Sequence, residues 1–198
     1  MVMGRLRVLA GNDRGSTLVE TTIVFPLLLM LIFGLVEFGH ALWEYAAAEK
    51  ATIIGARYLA TRGPIQANVA DCFVATTAAA GTPCSQIPEA ASALAWSSTI
   101  TSASCASPPT TVFCRMLAQM RSYAPFLTPA DVSVQLRGSG MGFVGRGRPI
   151  PLITVRTTGL TYNFVALDKL PLLASLGAIT MPGFDATSVG EDQKEGPP

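Results

Sequence analysis

The sequence predicts an α+β fold in which a long N-terminal transmembrane and amphipathic helix packs on a small antiparallel sheet with short helices. Three observations carry that expectation. From Thr21 to Val36 no residue is charged, and beyond Val36 the charges Glu37, Glu44, Glu49, Lys50 and Arg57 arrive at intervals with apolar and small residues between them and no proline until Pro64. Such a run is one helix of about 45 residues, roughly 65–70 Å long at 1.5 Å per residue. Further on, Val132, Val134 and Leu136 alternate with Ser133 and Gln135, and Leu152–Phe164 is β-rich, so two strands are expected there. Finally, all four cysteines fall between Cys72 and Cys114, in the part that follows the apolar run.

Composition narrows the class. Of the 198 residues 49% are hydrophobic and only 14% charged, against about 25% charged in an ordinary soluble domain. A membrane-linked or densely self-associating protein fits those shares. Net charge is +1 with the basic residues scattered, which argues against a nucleic-acid partner. None of the cysteines has the C-x2-C spacing of a zinc or redox motif, so no metal is expected, and an even set fits disulfides in an oxidising compartment. Four unpaired cytosolic thiols are the alternative.

Residues 1–15 form a basic leader, with Arg5, Arg7 and Arg14 against Asp13. By the positive-inside rule this end stays in the cytoplasm and the remainder is exported, a single-pass topology with the membrane span at about 18–36. A cleavable signal peptide ending at Ala46–Ala48 competes with this reading. Against it stand Glu20 at the mouth of the apolar run and the polar residues Glu37, His40 and Glu44 before those alanines. Glu20 is costly if it lies deep in lipid and then requires a partner. Were the chain cut after Gly15, the new amine on Ser16 would lie about one helical turn away and could neutralise it, within one chain or between neighbours. Otherwise Glu20 is a first-turn acid at headgroup level, favoured by the helix dipole. Pro26, inside the apolar run, removes one backbone hydrogen bond and predicts a kink near Thr22.

The residues RGSTLVET, the following IVFPLLLMLIFGLVEFGHAL and the closing GARYLATRG resemble the TadE-like segment of the tight-adherence (Tad, or Flp) pilus system. Gly15, Glu20, Pro26, the triplet Glu37-Phe38-Gly39 and Ala56-Arg57 match its features in order and spacing. The resemblance implies a minor pseudopilin, cut between Gly15 and Ser16 by a prepilin peptidase and assembled with other pilin-like subunits on a pilus platform in the bacterial inner membrane. It also implies a periplasmic C-terminal domain and a pilin-like fold related to type IV pilins. Thr21 stands where prepilins of this system carry an aromatic, and an unprocessed membrane-anchored periplasmic scaffold or binding protein is the alternative.

The helix of residues 16–62 continues past the membrane with Ala47, Ala51 and Gly55 at spacing four beside a row of Ala48, Thr52, Ala56 and Ala60. Small residues at this spacing admit another backbone. We expect the chain's own domain over Gly55–Ala60 and another subunit over Ala46–Ala51. Residues 63–128 then form a cysteine-containing region with short helices at Gln66–Ala80, Pro88–Ser97 and Thr111–Tyr123, and an irregular Ser97–Thr111 loop. Nearest-neighbour pairing of Cys72 with Cys84 and Cys105 with Cys114 is expected, although four cysteines allow three connectivities. Residues 129–190 form the sheet region, with a glycine-rich connector after Leu136, a short helix or crossover at Lys169–Leu176 and a third strand at Ile179–Val189. Residues 191–198 read as a disordered tail.

Catalysis finds little support in the sequence. Gly140, Gly142 and Gly145 satisfy G-x-G-x-x-G, but Arg146-Gly147-Arg148-Pro149 cannot open the helix a dinucleotide needs, and a flexible loop is expected instead. The lone His40 follows the membrane span and leaves an exported triad without a base. Asp131, Asp168 and Asp185 read as caps or surface charges. No enzyme, cofactor or small-molecule substrate is expected; a secreted enzyme behind a signal peptide is the remaining competitor.

Overall fold

The structure is a computed structural model that describes residues 15–62, 64–66, 70–74, 76–88, 97–145, 150–165 and 178–190. Residues 1–14 of the basic leader, the helix expected around Trp96, Arg146–Pro149, the Lys169–Leu176 crossover, Asp168 and the C-terminal tail lie outside those residues. The fold class is α+β: one long apolar helix is followed by a small antiparallel sheet and a short helix.

Helix α1 runs without interruption over Ser16–Thr61, with Pro26 inside it. Its last backbone bond joins Arg62 N to the Tyr58 carbonyl, and Pro64, which has no amide to donate, cannot extend the ladder. By its internal contacts the chain divides into two compact units, Met1–Leu42 with Tyr162–Ile179, and Trp43–Thr161 with Thr180–Pro198. Helix α1 contributes its first part to the one and its second part to the other.

In the second unit the strands β1 (Ser97–Ile100), β2 (Val132–Gly138), β3 (Pro151–Thr157) and β6 (Phe184–Val189) form a sheet in the order β1-β2-β3-β6, every neighbouring pair antiparallel. The register places inward residues opposite one another: Val134 faces Val155, Leu136 faces Ile153 and Val132 faces Thr157. All six are buried. A one-residue slip would turn that whole set to water, which is why the alternation specifies the pairing. On the outer face Arg156 and Asp185 are cross-strand partners joined by two hydrogen bonds of 2.7 and 2.9 Å.

Helix α2 (Val112–Arg121) starts at Thr111, whose side chain accepts from the Cys114 backbone N–H, and it buries Phe113, Met116, Leu117 and Met120. That hydroxyl satisfies one of the amides a helix start leaves open. Thr128 and Asp131 form a capping box around the turn that leads into β2, so Asp131 is a cap. Asp185 serves as the ion-pair partner of Arg156.

Several local expectations require correction. The described residues of Gln66–Ala80 hold only a three-residue turn at Asp71–Phe73, where Cys72 and Phe73 have φ of 57° and 61°. Non-glycine residues in that left-handed region cannot continue a right-handed helix. The Ser97–Thr111 stretch opens with strand β1, which pairs with β2 from Ser97↔Arg137 to Ile100↔Val134. Its Ser-Ser-Thr composition hid it, because an edge strand needs little apolar content. This pairing also joins the expected 63–128 and 129–190 regions through one sheet. Leu152–Phe164 is two strands, β3 and β4 (Thr161–Asn163), broken where Gly159 takes φ 79°. Ile179–Val189 is likewise divided into β5 (Ala178–Thr180), which pairs with β4, and β6. Pro182, which has no amide to give to a ladder, lies in the break.

The glycine-rich connector is not the free loop expected. Among its described residues Val144 exchanges backbone bonds with Gly81 and Thr82, and Gly142 accepts from Cys84 N. Val144 packs in a small cluster with Cys72, Cys84 and Ile87. A Cβ on Gly145 would stand 3.0 Å from the Ala80 Cβ, so the glycine permits the close approach.

Candidate functional site

The candidate site is the apolar part of α1 and what touches it. In the first unit the large side chains of α1 stand bare: Leu27, Leu31 and Leu35, one helical turn apart, are 61%, 59% and 66% exposed. A Cβ added to Gly34 or Gly39 would meet nothing. Leaving so much apolar surface in water is unfavourable by roughly 25 cal/mol per Å², so this stripe requires an apolar solvent or other helices. Its polar groups are suited to either. Thr21 and Thr22 donate their hydroxyls to the carbonyls of Thr17 and Leu18, at 2.8 and 2.7 Å, so neither presents an unpaired donor. Pro26 has no backbone N–H to offer Thr22; the helix continues through it.

Gly15 is exposed immediately before α1, and Ser16 is the first residue of the helix. Glu20 is exposed one turn further on. These three residues adjoin one another only by their place on one helix end.

Glu37 differs from Glu20. It is 9% exposed, and its Oε1 accepts a 2.8 Å hydrogen bond from the backbone N–H of Val165. A carboxylate out of water needs such donors. One turn along, His40 lies 5.7 Å from the Tyr162 ring at 48°, and Tyr162 stands edge-on to Phe164 at 5.3 Å. Sequence reasoning placed Glu37 in a motif and missed its role as an acceptor for a chain segment more than a hundred residues away.

The small-residue stripe belongs to the second unit. Ala48, Ala51, Thr52, Ala56 and Leu59 are buried, while Ala47 is half-buried. A Cβ on Gly55 would lie 2.8 Å from Met120 Sδ, so α2 lies against the glycine. Lys50 Nζ stands 5.1 Å over the Tyr123 ring. The expectation that another subunit covers Ala46–Ala51 is overturned at Ala48 and Ala51, which the chain's own core covers completely. Within that core Thr52 donates to the Ala48 carbonyl at 2.8 Å and meets Thr157 Oγ1 at 2.8 Å. With the Thr52 proton already given, Thr157 is the donor of the second bond. This buried link between α1 and β3 escaped the sequence, where Thr52 reads as one more small residue.

Cys72–Cys84 and Cys105–Cys114 are disulfides with Cα–Cα separations of 5.3 and 5.5 Å. Among the described residues no group of three His, Cys, Asp or Glu is placed to hold a metal ion.

The described structure thus defines a class: a chain with one helix long and apolar enough to cross a membrane, by length and composition, and a disulfide-bonded α+β part. Residues 15–57 match the family model described as TadE-like protein, so a TadE-like segment runs along α1 from its start to Arg57. The matched segment opens on Gly15 and closes on Arg57. No curated protein and no solved structure matches the chain.

Proposed function

We propose that this protein is a non-catalytic minor pseudopilin of the Tad pilus system. It inserts with its N-terminus in the cytoplasm and its disulfide-bonded part in the periplasm, loses the leader to a prepilin peptidase that cuts between Gly15 and Ser16, and joins other pilin-like subunits through the exposed half of α1. The observation that carries this reading is that the TadE-like match begins at Gly15, where the basic leader meets the apolar helix. The bare stripe through Leu27, Leu31 and Leu35 supports it, since one surface serves for lipid before assembly and for neighbouring helices after it. Glu20, exposed near the new terminus, acts as the charge partner of a Ser16 amine. Pilus subunits, the assembly platform and the peptidase are the partners, with no cofactor.

The test is the mass and N-terminal sequence of the membrane-extracted protein. A wild-type chain starting at Ser16, with a Gly15→Leu form that stays uncut, supports processing. An intact leader in the wild type sinks it and leaves the unprocessed periplasmic anchor.

A further inference from the structure

We infer that the segment around Val165 is a second membrane contact, lying on the outer surface of the phospholipid bilayer at the level where α1 leaves it. The inference rests on the proposed membrane insertion of α1 and uses only residues of the first unit. The uncharged run ends at Val36 and Glu37 follows, so Glu37 is the first charged residue where α1 leaves the hydrocarbon and stands near its edge. The 2.8 Å bond from Val165 N to Glu37 Oε1 holds Val165 within one side-chain length of that edge. His40 against Tyr162 and Tyr162 against Phe164 secure the approach.

Held there, Val165 is 74% exposed, and Phe38 and Leu42 on α1 are each 55% exposed. The tether answers the main objection to an irregular backbone at the hydrocarbon edge, which is an amide without a partner. Glu37 supplies that partner. The occupant of the Val165 surface is therefore the glycerol and upper acyl region of lipids, continuous with the lipid that surrounds the span.

The full chain, with Trp43→Phe and Trp96→Phe, is reconstituted into phosphatidylethanolamine–phosphatidylglycerol vesicles containing brominated lipids, and single tryptophans are introduced. Val165→Trp emission is expected to fall at least twofold with bromines near the top of the acyl chains and less with deep bromines. Leu28→Trp responds most to deep bromines, and Ala118→Trp on the exposed face of α2 responds to neither. Quenching of Leu28→Trp with Val165→Trp no more affected than Ala118→Trp overturns the second contact while leaving the span intact. A blue-shifted but unquenched Val165→Trp means a protein covers the site, which also overturns it. Failure to quench Leu28→Trp removes the span and this inference together. In the unmodified protein in nanodiscs, cross-relaxation between Val165 methyls and lipid glycerol protons is expected, and its absence overturns the contact without any substitution.

Discussion

The two parts of α1 belong to one continuous helix and differ in what covers them. Leu27, Leu28, Leu31 and Leu35 stand more than half exposed, and a Cβ on Gly34 or Gly39 would meet nothing. From Ala48 to Ala60 the buried face is mostly small, Ala48, Ala51, Thr52, Gly55, Ala56 and Ala60 beside the larger Leu59, and α2 and β3 close over it, with Met120 against Gly55 and Thr157 against Thr52. A helix face that its own domain covers is built small so that a second layer can approach. The face left for lipid or other subunits carries the large side chains. Side-chain size along the covered face and the charges that return after Val36 together separate the two.

That contrast can be broken from either side. The largest effect is expected from Leu59→Ala: its side chain is 1% exposed, and the cavity costs about 2–5 kcal/mol of domain stability. Leu31→Ala, at 59% exposed, leaves thermal unfolding of the domain in detergent within about 0.5 kcal/mol of wild type. Equal losses for the two would erase the distinction. Next comes Leu28→Arg, which places a charge in the bare half and disfavours membrane insertion by about 2.5–3.5 kcal/mol. Carbonate extraction should release more of the protein, while near-ultraviolet circular dichroism of the domain stays unchanged.

Thr52→Ala tests the covered half more finely. It strands the Thr157 hydroxyl inside the core and should cost about 1–3 kcal/mol. Adding Thr157→Val should restore most of that loss, and a denaturant-unfolding cycle with additive losses would count against the buried link. The smallest effect belongs to Asp185. The hydrogen bonds and charge of Arg156 hold its carboxyl below the ordinary carboxylate value, and those of Asp185 hold the Arg156 guanidinium above its own. The pair's contribution is therefore complete above the ordinary carboxylate range and is lost as pH falls through the lowered value. Because both side chains are about half exposed, Asp185→Asn should flatten the acid limb of the stability curve only slightly. An unchanged limb means the pair contributes nothing.

Local pattern carried much of this protein. The length and continuity of α1, its apolar span, helix α2 and the paired strands β2 and β3 follow from periodicities set by backbone geometry. Gly15, Glu20 and the Glu37-Phe38-Gly39 triplet drew attention because non-apolar residues at fixed intervals are rare in such a helix. Other features depend on residues distant in the chain, and no periodicity announces them. Strand β1 exists because β2 offers an unpaired edge to Ser97–Ile100. The turn at Cys72 is bound up with Cys84 and with the connector that packs on both. Thr52 became a buried polar link only when β3 brought Thr157 to it, and Glu37 found its donor in the Val165 amide. Sequence by itself determined which stretches are helix or strand and which stretch is fit for a membrane. Tertiary structure decided which half of α1 the chain covers for itself, because covering requires a second surface whose position no local pattern encodes.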